Sequence, residues 1–155
     1  MGGRGGTPFD VKYDEGLKVG YKWYDAENKT PLFPFGFGLS YTSYAYSNLK
    51  ASANGHSVTV WFDVKNTGKR AGKEVAQVYL SLPPSTNEPP KRLIGWQKVQ
   101  LAPGESKTVS LTIDPLYISI FNEASNSWQV APGSYKLMAG ASSKDLPLSQ
   151  AITLN

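Results

Sequence analysis

Strict alternation of apolar and polar positions sets the texture of the chain beyond residue 43. Residues 58–65 read VTVWFDVK and place Val58, Val60, Phe62 and Val64 on one side of an extended segment, the period-two pattern of a half-buried strand. Asn66-Thr67-Gly68 ends that run with turn residues. Residues 74–82 put Val75, Gln77, Tyr79 and Ser81 on one face and Ala76, Val78, Leu80 and Leu82 on the other. Pro83-Pro84 then removes two backbone donors and stops the strand, and a surface loop follows to Pro90. Further strands are predicted over 44–53, 93–101, 107–113, 135–141 and 148–154, with a turn at 102–105 and a hairpin over 118–130 centred on 122–127.

No helical period competes with this alternation. Seven or more short strands at near-regular spacing predict an all-β fold, an antiparallel β-sandwich of fibronectin type III or immunoglobulin-like kind with an irregular N-terminal extension. No internal repeat of 20–50 residues is present, which argues against a solenoid or propeller. Trp61, in mid-strand, is expected in the core. Tyr135 follows Pro132-Gly133-Ser134 and is expected to form a tyrosine corner, its hydroxyl donating to backbone a few residues upstream.

The first 42 residues are different. Residues 1–8 are expected to be a disordered leader or a cloning scar, and residues 9–42 an aromatic strap with short extended pieces such as 17–24. The stretch PLFPFGFGLSYT, residues 31–42, holds Phe33, Phe35, Phe37 and Tyr41 among two prolines and two glycines. Pro31 and Pro34 exclude a helix there, and Gly36 and Gly38 permit tight or left-handed turns. Such a segment is costly to leave in water, so it is expected to pack against something large.

Composition narrows the chemistry. The chain has 155 residues, no cysteine and one histidine, His56, in a turn-like Asn54-Gly55-His56-Ser57. Disulfides, thiolate sites and cysteine nucleophiles are excluded, and a histidine-based metal site or triad has little to work with; no cofactor and no metal is expected. No run of eighteen apolar residues occurs, so no membrane-spanning helix is predicted, and Met1 to Gly6 lacks the apolar stretch of a signal peptide. The net charge of +4 gathers in residues 43–155, which hold eleven basic and seven acidic groups, whereas residues 1–42 hold five of each. Lys69, Arg70 and Lys73, and separately Lys91-Arg92, are too sparse for a nucleic-acid stripe and read as solvated loop charges. Asp10, Asp14, Glu15, Asp25 and Glu27 cluster in sequence on an irregular segment, and read as solvated or ion-paired carboxylates because an active pair needs rigid support.

Several blocks resemble one family. Residues 13–25, YDEGLKVGYKWYD, look like the end of the second catalytic-region domain of glycoside hydrolase family 3 enzymes, and residues 31–42 look like the connector that follows it. Asn66-Thr67-Gly68, Gly72 with Glu74-Val75, Gln77-Val78-Tyr79, Lys91-Arg92-Leu93, Gly95-Trp96, residues 101–105, residues 132–135 and Ser142-Ser143-Lys144-Asp145 resemble that family's C-terminal fibronectin type III-like domain. Phe37 stands where the family often has His or Tyr. The resemblance implies a β-glucosidase-type parent, a glucosidase or xylosidase that is secreted or periplasmic, whose catalytic domains carry the reacting carboxylates outside this chain. It places no catalytic residue on any position here and implies that the chain is not an enzyme by itself.

Two functional readings remain open at this point. In the first the chain is an accessory domain that docks on the catalytic domains of the same polypeptide through Phe33, Phe35, Phe37 and Tyr41. In the second it is a polymer-binding module in which Trp23, Tyr24, Tyr46, Trp96 and Trp128 stack on plant cell-wall polysaccharide or lignin. An unsatisfied strap could also drive self-association through residues 31–42. Neither nucleic acid nor a membrane is expected as a partner.

Overall fold

The computed structural model describes residues 10–155; the expected leader, residues 1–8, lies outside the described residues. Among the described residues nine strands form: β1 (Tyr44–Asn54), β2 (Ser57–Asn66), β3 (Gly72–Ser81), β4 (Arg92–Leu101), β5 (Ser106–Ile113), β6 (Ile120–Asn122), β7 (Ser127–Gln129), β8 (Gly133–Gly140) and β9 (Leu148–Leu154). All pairings are antiparallel. Strands β1-β2-β5 make a three-stranded sheet, β4-β3-β8-β9 a four-stranded one, and β6-β7 a small hairpin. The two sheets face each other as a sandwich.

The core is the set that alternation predicts. Val58, Val60, Phe62 and Val64 from β2 meet Ala76, Val78 and Leu80 from β3 and Leu137 and Ala139 from β8, all buried. Burying four such side chains from β2 is worth roughly 6–12 kcal/mol before entropy is counted. A one-residue slip would exchange them for Thr59, Trp61, Asp63 and Lys65. That difference fixes the register, and it also corrects one expectation. Trp61 is not a core residue: the parity that buries its neighbours turns it to the outer face of the three-stranded sheet, where it is only partly buried.

Tyr135 sits at the start of β8, buried, and its Oη donates to the Ala131 carbonyl at 2.6 Å. The hydroxyl spans the corner between the β6-β7 hairpin and the last two strands. Asn66 closes β2 in a similar way. It is fully buried, and its amide donates to the carbonyls of Arg70 (2.7 Å) and Leu101 (3.2 Å) while its oxygen accepts from Thr42 Oγ1 (2.7 Å) and the Gly68 N–H (3.0 Å). With every polar valence used, this side chain ties the end of the strap to the sandwich.

A second correction concerns residues 17–24, expected to be extended. The structure has a short helix, α1 (Tyr21–Ala26), instead. Gly20 adopts φ 56°, a left-handed value that ends the preceding run and turns the chain. Six residues are too few for a helix to be stable alone. It persists because Tyr21 and Asp25, one turn apart on the same face, are both held by the sandwich.

Candidate interdomain surface

From Ala76 to Leu80 strand β3 is buried on both faces, which alternation alone does not explain. Its outward residues Gln77 and Tyr79 are 4% and 0% exposed because the N-terminal segment lies across them. The Tyr21 ring stacks on Phe35 (centroids 5.0 Å apart) and meets Tyr79 edge-on at 5.8 Å. At the bulge where Val78 opposes Gly95 and Tyr79 opposes Leu93, the Leu93 N–H donates to Tyr21 Oη at 2.8 Å. The bulge leaves a backbone donor for which the strap supplies the acceptor. Burial raises the phenol pKa of both Tyr79 and Tyr21, so both stay protonated and neutral under this cover.

Gln77 fastens the next point. Its Nε2 donates to the Ala141 carbonyl (2.6 Å) and, at 3.5 Å, toward the Gly36 carbonyl, while its Oε1 accepts from Tyr79 Oη (2.6 Å). Gly36 has φ 82°, and a Cβ there would sit 2.3 Å from the Gln77 amide nitrogen. Both its conformation and its close approach require glycine; Gly38 has no such φ and meets nothing. The Ser143 N–H donates to the Phe35 carbonyl at 2.8 Å, one ladder-like bond between strap and sandwich.

Asp25 supplies the ionic clasp. Its carboxylate takes Lys91 Nζ at 2.5 Å on one oxygen and Lys144 Nζ at 2.7 Å on the other. The Asp25 side chain is 5% exposed and Lys91 12%, whereas Lys144 is 42% exposed. Beside it, Arg92 pairs with Glu88 at 2.9 Å and donates to the Ser119 carbonyl. The Lys91-Arg92 cluster is therefore internal wiring and no solvated patch. At the far end of the strap Tyr46 stacks on Phe62 and donates to Glu74 at 2.6 Å. Burial raises the Glu74 pKa, an effect the Tyr46 hydrogen bond partly offsets.

The other side of the strap is bare. Phe33 is 66% exposed, Phe37 49% and Tyr41 91%, with Leu32 and Leu39 exposed between them. Phe33 and Phe37 pack on each other, centroids 5.5 Å apart, and Phe35 divides its surface between Tyr21 and solvent. The strap is an ordered band with a fastened back and an apolar front.

The five aromatics proposed for polymer contact do not come together. Trp23 is partly buried, with Lys29 Nζ 4.3 Å from its ring centroid and Tyr24 edge-on. Tyr46 is committed to Phe62 and Glu74. Trp96 on β4 and Trp128 on β7 are more than half exposed but lie on separate elements, Trp128 edge-on to Phe121. Sequence reasoning passed over Tyr21, Asp25, Gln77 and Lys144 as functional positions. All four fall within the blocks that resemble the family, and the i,i+4 spacing of Tyr21 and Asp25, which a helical reading of residues 21–26 would have exposed, is a further signal.

A family model described as "Fibronectin type III-like domain" matches residues 74–143. Thermostable beta-glucosidase B of Acetivibrio thermocellus is 41% identical over 150 residues, covering 94% of this chain and 20% of that protein. Beta-glucosidase BoGH3A of Bacteroides ovatus is 43% identical over 146 residues, 91% of this chain and 20% of its own. Among solved structures, beta-D-glucoside glucohydrolase from Trichoderma reesei superimposes with a TM-score of 0.92 at 34% identity, over 99% of this chain and 24% of that one. The chain thus spans about a fifth of the length of the curated relatives it matches.

Proposed function

The chain is a fibronectin type III-like domain, with its preceding strap, of the kind found in family 3 β-glucosidases, and on that premise we propose that it is a non-catalytic accessory domain that docks on the catalytic domains of the same polypeptide. The front of the strap is the docking surface. One observation carries this reading: the apolar ridge of Phe33, Phe37 and Tyr41 is exposed on a segment whose back is locked to the sandwich by Asp25, Tyr21 and Gln77. A mobile tail would not need such fastening, and an ordered apolar band of this size marks an interaction site. With aromatic side chains burying roughly 150–250 Å² each, covering the exposed parts of these three removes about 400 Å² from water. At about 25 cal/mol per Å² that is on the order of 10 kcal/mol before the costs of association. Secretion of the parent and hydrolysis of a β-glucoside by its other domains belong to the same reading.

The test is complementation. The chain is produced together with the remaining four-fifths of the Acetivibrio thermocellus enzyme lacking its own matching segment. Co-purification and slower thermal inactivation of aryl β-glucosidase activity are expected, both lost in a Phe33→Ser, Phe37→Ser, Tyr41→Ser variant. Independence of the catalytic portion from the chain would sink the proposal, as would turnover of an aryl β-glucoside by the chain alone.

A further inference from the structure

The outer face of the β1-β2-β5 sheet is not used by anything described above, since the strap covers the opposite sheet. Strand parity places Thr59, Trp61 and Asp63 on it in a row. Along a strand these side chains stand about 7 Å apart, so the row is about 14 Å long. Lys50 on β1 and Ser110 on β5 lie directly opposite Trp61, and Thr112 lies opposite Thr59. One tryptophan, part of it accessible to solvent, is thus framed by hydroxyl and charged groups on a sheet rather than in a cleft.

The polar frame is built. Thr108 Oγ1 donates to Asp63 at 2.6 Å and Asn48 Nδ2 donates to its other oxygen at 2.8 Å. These hydrogen bonds lower the carboxyl pKa, and it is ionised at neutral pH. Asn48 reaches it from a bulge in β1, with a left-handed φ of 57° that few non-glycine residues adopt. A carboxylate has about four acceptor positions, and two are used here. The rest face solvent in a fixed orientation, beside the free donor and acceptor of the Asn48 amide. Thr59 and Thr112 hydroxyls sit 3.4 Å apart on the other side of the indole. Asp63 carries the negative charge of this face, and Lys50 and Lys65 carry its positive ones.

We propose that this face binds an extended, uncharged polysaccharide. Trp61 is the platform for the apolar C–H face of a sugar ring, whose hydrogens match the negative face of the indole. Asp63 and Asn48 take hydroxyls of a neighbouring ring, through charge-assisted bonds in the case of the carboxylate. A row along a strand suits a linear chain, whereas a lone sugar would need a pocket. This function is separate from docking through the strap, and either can fail without the other.

The probes are microcrystalline cellulose and soluble cellohexaose. The chain should be retained on cellulose, and cellohexaose should release it and shift the Trp61 indole N–H resonance. Trp61→Ala should weaken retention at least tenfold and Asp63→Ala at least threefold, while Trp128→Ala and Phe33→Ser leave it unchanged. If Trp61→Ala does not fold, Ser110→Arg, at an exposed position opposite the indole, blocks the face without touching the core. The proposal is overturned if the folded chain is not retained on cellulose. It is equally overturned if retention survives both Trp61→Ala and Ser110→Arg, or is lost with Trp128→Ala alone.

Discussion

Replacing Asp25 by alanine tests whether the strap is a separately fastened unit. The Asp25–Lys91 pair is nearly dry on both sides, and removing one partner of such a pair leaves a buried charge, typically costing about 3–5 kcal/mol. Lys144 is 42% exposed, so its share is that of a surface pair, about 0.2–1 kcal/mol. The stranded Lys91 can regain water if α1 lifts off, so the loss is capped by the docking free energy of the strap, and the lower figure of about 3 kcal/mol is expected. The damage should be local. Amides of Glu27, Lys29, Phe37 and Ser143, whose hydrogen bonds belong to the strap or join it to the sandwich, should exchange on the order of 100-fold faster, following tenfold per 1.4 kcal/mol. Amides of Val60, Val78 and Leu137 in the core strands should change little. Asp25→Asn, which keeps the shape and loses the charge, should fall between. Exchange at the strap amides changing by less than about threefold would refute the clasp; equal acceleration in the core would show that strap and sandwich open as one unit, refuting the local argument.

Three further outcomes follow from the same geometry. Asn66→Ala removes four hydrogen bonds of a buried side chain, each worth about 0.5–1.5 kcal/mol, so urea unfolding should show a loss of about 2–6 kcal/mol with little change in m-value. Gly36→Ala places a Cβ against the Gln77 amide at φ 82°; a local cost of about 1–3 kcal/mol is expected, seen as faster exchange at Ser143 with the core strands unaffected. Asp63 has its pKa lowered below the ordinary 3.8 by hydrogen bonds from Asn48 and Thr108, so its contribution to stability is present above pH 3.8 and is lost as pH falls through the folded-state value. The melting-temperature gap between the native chain and Asp63→Asn should therefore be constant from pH 7 to about 5 and close in stronger acid; a gap that widens on acidification would contradict the assignment.

The strands were legible because burying one face and wetting the other is a local, period-two demand. Val58, Val60, Phe62 and Val64 answer it whatever surrounds them, and Pro83-Pro84 or Asn66-Thr67-Gly68 end strands by backbone chemistry that needs no partner. The fold class, the core of β2 and the family resemblance follow from residues alone. The same demand, applied consistently, also puts Trp61 outside; expecting it in the core gave its size more weight than its parity.

What the tertiary structure decided are contacts whose partners are far apart in the chain. Asp25 meets Lys91 and Lys144 across 66 and 119 positions, and nothing in its neighbourhood distinguishes it from Asp14 or Glu27. α1 is too short to signal itself and exists because Tyr21 and Asp25 find the sheet. Alternation puts Gln77 and Tyr79 on the face of β3 opposite the core, and they are buried because the strap covers them. In residues 31–42 the aromatic content is written in the sequence, but which rings are fastened and which stay bare is not. Phe35 stacks on Tyr21 and, like Phe37, is about half covered, while Phe33 and Tyr41 stay mostly exposed, because Gly36 brings the backbone against Gln77 and only one side of the strap can face the sandwich.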